Sequence, residues 1–493
     1  MAITIISNLT SGAYYPSANP INTTVYSDNS GNCNFRYINE IYINNVKVFT
    51  QKLFPDPTTG YAFFQISRIV QDYIETTMSK TPQSTYFTTA GSSITTPSGL
   101  ISVYCKFGEE YDTSANCDGA VNQYLNLATS NSIYVFESAI DYEDWPSFDY
   151  NNYTFALVAK TASFLTNAPR EQEVTFNDSY YLDFISTSAL TNTRVIGLET
   201  YDWNNQLITS YLLPSTTLVD VKRYRVAVGP YDLNKIYNDN IINASVKYYK
   251  LSIGKYQSST YTRLTEYFYF NVRPPKEFQT RIAFIGLKGG IEHFTFYHRN
   301  NSRIEIERKT FEKTLQRNYS NVWTYQVGDR GTTQWSTKAR EKHIVSTFCS
   351  KENSEWLSEM WLSPKVWTYS RPELKEFTTS QSGGQILLWV KDHGLSVGNQ
   401  LFIFPDVTNS NNSVLQLLVT VTSVIGDDQF ACGLTSSSYP NISNPCGWIQ
   451  KKEDWKQLPI VISDNIIENK QRTSRPIEYT LNYDMAYSKN TLR

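Results

Sequence analysis

A chain of 493 residues is too long for one hydrophobic core and predicts roughly three domains of about 150 residues each. Its composition, 40% hydrophobic and only 18% charged with 36 Tyr and 25 Phe, excludes a disordered chain or a coiled coil and favours strand formers. With 44 basic residues against 46 acidic ones the formal net charge is -2, so no whole-chain field draws the protein to nucleic acid or to an anionic membrane.

The N-terminus, MAITIISNLTSGAYY, has no basic region ahead of a long apolar run, and no segment approaches the roughly 20 apolar residues of a membrane span. The expectation is a protein made in a cytoplasm, without a membrane anchor. The six cysteines, at 33, 105, 117, 349, 432 and 446, show no metal-ligand spacing and read as mostly buried thiols. Cys105/Cys117 and Cys432/Cys446 are the pairs close enough in sequence to suggest disulfides.

Residues 1–165 predict an N-terminal β-sandwich with one helix. Strands are expected at 24–26, 35–43, 46–49, 100–107 and 132–136, with an Asn44-Asn45 turn. Ile66, Ile69, Val70, Tyr73 and Ile74 recur at helical spacing and predict a helix over 67–76. Residues 166–274 predict a middle immunoglobulin-like β domain, with strand-like runs at 180–184, 194–198, 223–228, 244–253 and 265–272.

The clearest pattern lies at 281–315, RIAFIGLKGGIEHFTFYHRNNSRIEIERKTFEKTL, in the third domain, expected at 275–377 plus 451–493. Period-two alternation around Gly289-Gly290 predicts an antiparallel meander. In its third strand Glu305, Glu307, Arg308 and Lys309 make one face charged while Ile304 and Ile306 point the other way, which predicts one buried face. Residues 299–342 hold ten Lys/Arg against five Asp/Glu, an excess of five positive charges. That excess reads as a salt-bridged interface rather than a nucleic-acid track. Arg299, Arg303, Arg308, Lys309, Lys313 and Arg317 are its candidate contacts. A helix follows at 352–362, acidic in its first turn and closed by Pro364. Short strands at 386–390, 400–404, 415–424 and 429–433 predict a small inserted β domain, barrel-like, over 378–450. A further strand is expected at 458–462, and the stretch 466–493 reads as polar, strand-poor and available to a neighbouring subunit.

The aromatic hairpin with its glycine turn, the I-E-I-E-R-K strand at 304–309, the acidic-aromatic helix SEWLSEMWLSPKVW at 354–367 and the strand LPIVISD at 458–464 together resemble virion proteins of tailed bacteriophages. The likeness is to tail-tip, tail-hub or baseplate-type proteins of phages infecting Bacteroidetes, crAss-like phages among them, and it covers the C-terminal third best. The resemblance implies a virion location in the tail. It also implies a homo-oligomer that contacts other phage tail proteins.

No H-E-x-x-H, G-x-S-x-G, Walker or G-x-G-x-x-G phrase is present, so no cofactor or metal is expected and the chain does not read as an enzyme. Asp141, Glu143 and Asp144 are the acids a glycosidase reading would need, and a solvated loop is the simpler account of them. Trp145, Trp203, Trp389 and Trp448 stand beside loops and are the candidate stacking residues of an alternative, a receptor- or glycan-binding tail protein facing a host-surface glycan.

Overall fold

The computed structural model describes residues 3–76, 87–89, 92–93, 100–114, 116–155, 162–186, 193–213, 222–237, 241–257, 259–274, 279–312, 317–319, 322–324, 332–370, 374–382, 385–405, 417–435, 446–451, 456–463 and 477–486. The fold is mainly β and multidomain, as composition predicts. By contacts the chain divides into two units, one of residues 1–274, 285–292 and 375–452, the other of 275–284, 293–374 and 453–493.

In the first unit, a three-stranded sheet (Thr4–Ser7, Asn22–Tyr26, Ala62–Gln65) and a six-stranded one built around Cys33–Ile43 and Ile101–Asp112 share one core. Val25, Tyr37, Ile41, Phe64, Val103 and Phe107 fill it, alternate residues of each strand pointing inward. The helix expected over 67–76 is shorter, Ser67–Gln71, because Ile74–Glu75 already pairs as a strand. A four-stranded sheet follows in the order Thr154–Phe155, Tyr181–Ser186, Lys222–Ala227 and Phe87–Thr89, drawing strands from both sides of residue 165. A six-stranded sheet centred on Tyr248–Gln257 lies in the same unit, and the Tyr249 hydroxyl donates to the Val228 carbonyl at 2.8 Å. The helix Pro230–Tyr237 has no counterpart in the sequence reading. Leu374–Ser382 and the strands up to Cys446–Lys451 form a seven-stranded sheet over a core of their own, with Ile386, Leu388, Leu401, Ile403 and Phe430 at its centre.

Cys33 is disulfide-bonded to Cys117, not Cys105 to Cys117 as sequence proximity suggested. The reason is local. Cys33 sits opposite Asp112 in the ladder, and the Asp112 carboxylate accepts from the amides of Ser114 (2.8 Å) and Gly119 (2.7 Å), folding the intervening loop back onto the strand end. Cys105 and Cys432 are buried thiols, which burial pushes up to about 12.

The second unit is organised by a seven-stranded sheet in the order Ile291–Phe296, Thr280–Ile285, Val366–Ser370, Lys456–Ile462, Ile477–Met485, Thr332–Cys349 and Arg299–Glu312. Its first and last strands are separated in sequence by Tyr297 and His298 alone. Laid flat, seven strands would hold their outer members about 29 Å apart, whereas three residue steps reach about 11 Å. The sheet therefore curls until its ends approach, as a partly closed barrel.

Two expectations are corrected here. The meander holds for its first two strands, but the third leaves them for the opposite end of the sheet because its ladder partner is Thr332–Cys349. The stretch read as strand-poor contains Ile477–Met485, an inner strand paired on both sides, with Tyr479, Leu481, Tyr483 and Met485 buried. Residues 464–476 and 487–493 lie outside the described ones. Phe284 and Phe294 each place their rings 5.9 Å from Trp356, on the helix Lys351–Leu357, whose N-cap Ser350 side chain accepts from the Asn353 amide at 3.2 Å.

Candidate interaction surface

Arg299–Glu312 and Thr332–Cys349 pair antiparallel over fourteen positions, from Arg299↔Ser346 to Glu312↔Thr332. β-branched residues and alternating polarity run through both strands, which is why they hold an extended form without a core beneath them. The neighbouring strand Ile477–Met485 stops accompanying them at Lys342↔Asp484, opposite Arg303. Beyond that point residues 304–312 and 332–341 make a two-stranded ribbon about 30 Å long. We refer to Arg299–Glu312 as the outer strand and Thr332–Cys349 as the inner one.

Every residue of the outer strand is exposed, and its far edge carries no ladder partner among the described residues. The buried face expected for Ile304 and Ile306 is therefore absent. They are 53% and 52% exposed, because the ribbon has left the sheet's core behind. Exposed apolar groups of this size on both strands of an edge, joined by Phe311 at 46% and Trp335 at 62%, are what monomeric sheets ordinarily avoid.

The two faces differ chemically. One stacks Arg303 with Lys342, Glu305 with Arg340 and Glu307 with Lys338; the other sets Ile304 opposite Glu341 and Ile306 opposite Ala339. On the charged face the Glu305 carboxylate lies 2.8 Å from the Lys342 ammonium and 3.0 Å from the Arg303 guanidinium. Its hydrogen bond to Lys342 holds its carboxyl below the usual 4.5. Glu307 makes no ion pair among the described residues. The register shifts between Lys309 and Thr310, leaving Trp335 as the extra residue of the inner strand, with the Lys309 ammonium 6.0 Å from its ring centre. A concavity of 390 Å³ at the ribbon's root is lined by Asn300, Asn301, Ser302, Arg303 and Ile344.

Of the basic residues singled out from sequence, Arg299, Arg303, Arg308 and Lys309 all fall on the outer strand and are exposed. Lys313 lies outside the described residues, and Arg317 opens the short strand Arg317–Tyr319, whose side chains are likewise undescribed. Residues 332–342 fall within the basic region read as an interface, but no strand was expected there. The inner strand's signal was the alternation of Trp335, Thr337, Ala339 and Glu341 with Ser336, Lys338 and Arg340.

The tryptophans do not converge on one feature. Trp145 is half-buried, 6.0 Å from the Tyr15 ring and packed against the core of Phe136 and Tyr150. Trp203 is 42% exposed beside the Asp202–Asn205 turn, and its indole donates to the Ala244 carbonyl at 3.4 Å. Trp389 is 46% exposed and donates to the Ser380 hydroxyl at 3.3 Å. Trp448 lies in Cys446–Lys451, where its side chain is outside the description. Asp141, Glu143 and Asp144 sit together on one exposed turn.

The histidines have packing roles. His293 is buried with its Nε2 2.9 Å from the Tyr369 hydroxyl, and His343 stacks on Tyr483. His298 packs on Phe348 at 4.5 Å, and His393 accepts from the Leu395 amide at 2.9 Å. No group of three metal-ligating side chains occurs among the described residues, and none of their helices is long and apolar enough to cross a membrane. No protein-family model and no curated protein matches the chain.

Proposed function

We propose that the chain is a structural virion protein of a tailed bacteriophage, a component of the tail hub or baseplate that works through large protein–protein interfaces rather than through a reaction. The observation that carries this reading is the ribbon: a fourteen-residue edge strand exposed along its whole length, bearing apolar and mixed-sign side chains. Such an edge is a template for strand addition by another chain. The resemblance of the hairpin, helix and closing strand to tail proteins supplies the setting. On this reading the partners are further copies of the chain and other tail proteins, and no cofactor is needed.

The test is composition. The reading expects an affinity-tagged chain, expressed during infection, to band with purified particles and to remain with the tail fraction after heads are detached. A chain found only in the soluble lysate refutes it. Exposed Trp203 and Trp389 favour a second reading, a tail protein that stacks on host glycans. A glycan array with W203A and W389A as controls decides between the two.

A further inference from the structure

The geometry points to a specific partner for the outer strand: the same strand of a second copy, paired antiparallel about a two-fold axis through Glu305. This inference rests on the assembly reading above and names the contact it uses.

Two identical strands can add edge to edge about an axis normal to the sheet only when facing residues share parity, because parity decides which face a side chain occupies. That leaves a short set of registers, which the side chains discriminate. Centred on Glu305, the pairing sets Ile304 against Ile306 of the second copy and Arg303 against Glu307, and the axis repeats both pairs. One face thus gains two Ile–Ile contacts and the other two Arg–Glu contacts, the pairs that stabilise antiparallel sheets. The Glu305 side chains meet on the axis, each already compensated by its own Lys342.

Neighbouring registers are worse. Centred on Ile306, Glu305 faces Glu307 and Arg303 faces Lys309, four like-charge clashes after the axis is applied. Centred on Ile304, Arg303 gains Glu305, but a single isoleucine contact remains, Ile306 faces Ser302 and Arg299 faces Lys309 twice. Centred on Glu307, Glu305 gains Lys309, but both isoleucines face polar residues. Charge pattern and apolar pattern therefore agree on a single register, and Glu307, which has no ion-pair partner among the described residues of its own chain, obtains one there.

Three features make the edge available. The outer strand is exposed throughout, its ladder irregularity falls beyond Lys309, and the extra residue there belongs to the inner strand. The outer strand itself runs regular through the five positions the contact uses, Arg303 to Glu307.

The experiment is sedimentation velocity on the full chain over a concentration series, with circular dichroism to verify folding of each variant. Wild type is expected to associate through a dimer. R303E and E307R each place like charges across the axis twice and are expected to weaken the dimer about tenfold or more. The double variant R303E/E307R restores opposite charges across the axis in this register, and its affinity is expected to return to within about threefold of wild type. A slip to the register centred on Ile306, where E307R would also face Glu305, is detected by the cysteine pair below. Independently, E305C is expected to form an intermolecular disulfide on oxidation, since directly opposed Cα atoms lie about 4.5–5.5 Å apart. S302C, six positions from its own copy in this pairing, is not.

A double variant no tighter than either single one, or E305C cross-linking no faster than S302C, overturns the inference. If wild type forms multimers that none of these substitutions weakens, the register is wrong and the assembly reading stands. Absence from particles refutes that reading whatever the solution mass.

Discussion

Asp183 shows how much a single buried group can hold. Its carboxylate, fully buried, meets Arg223 at 2.6 Å and Arg225 at 2.9 Å, and Arg223 also donates to the Gly289 carbonyl. Burial alone would raise the carboxyl, but the two guanidiniums more than offset it and hold it below the usual 3.8. Because the folded value is depressed, the stabilisation is complete above about pH 4, the unfolded value, and is lost as pH falls through the folded one. Urea midpoints measured against pH are expected to decline there in wild type and to lose that component in D183N. At neutral pH, D183N is expected to cost about 3–5 kcal/mol, since it removes the carboxylate that both buried guanidiniums share. An unchanged midpoint would contradict this account. Nothing in the sequence flags the cluster, because Asp183 and Arg223 lie 40 positions apart and each looks like an ordinary polar residue within a strand.

At the scale of elements, the ribbon and the central strand Ile477–Met485 make opposite predictions. Ile304 and Ile306 touch no core, so replacing both with Ser is expected to change unfolding stability by less than about 1 kcal/mol while abolishing self-association. Leu481 is fully buried between two ladders, and Leu481→Ala is expected to cost about 2–5 kcal/mol, read as a lowered denaturation midpoint.

Both strands could be read in part from the sequence. The alternation at 303–309 gave the outer strand its form, and four of the six basic residues singled out lie on it. Its exposure was hidden, because that depends on a partner more than twenty residues downstream and on where the next strand stops. In 477–485 the signal was present and its composition concealed it. Tyr479, Leu481, Tyr483 and Met485 alternate with Glu478, Thr480, Asn482 and Asp484, and an average over the window looks polar where period two looks like a half-buried strand. The expected Cys105–Cys117 pairing failed for the reverse reason, since Cys33 and Cys117, 84 positions apart in sequence, become neighbours once Cys33–Ile43 pairs with Ile101–Asp112.

At the scale of the whole molecule, the two compact units into which the chain divides are expected to unfold in two calorimetric transitions. Cys33→Ser removes a cross-link spanning 84 positions within the first unit. It is expected to lower one transition, by about 2–4 kcal/mol, and to leave the other in place. A shift in both would show that the units unfold together. The order of strands in the second unit also has a bearing on synthesis. Lys456–Ile462 and Thr332–Cys349 both wait for Ile477–Met485, which enters between them and is the last of the seven to be translated. Until residue 485 has cleared the ribosome the sheet exists as two halves and the ribbon has no fixed root. The strand that joins the two halves of the sheet is thus the last one made, and closure of the sheet waits on it.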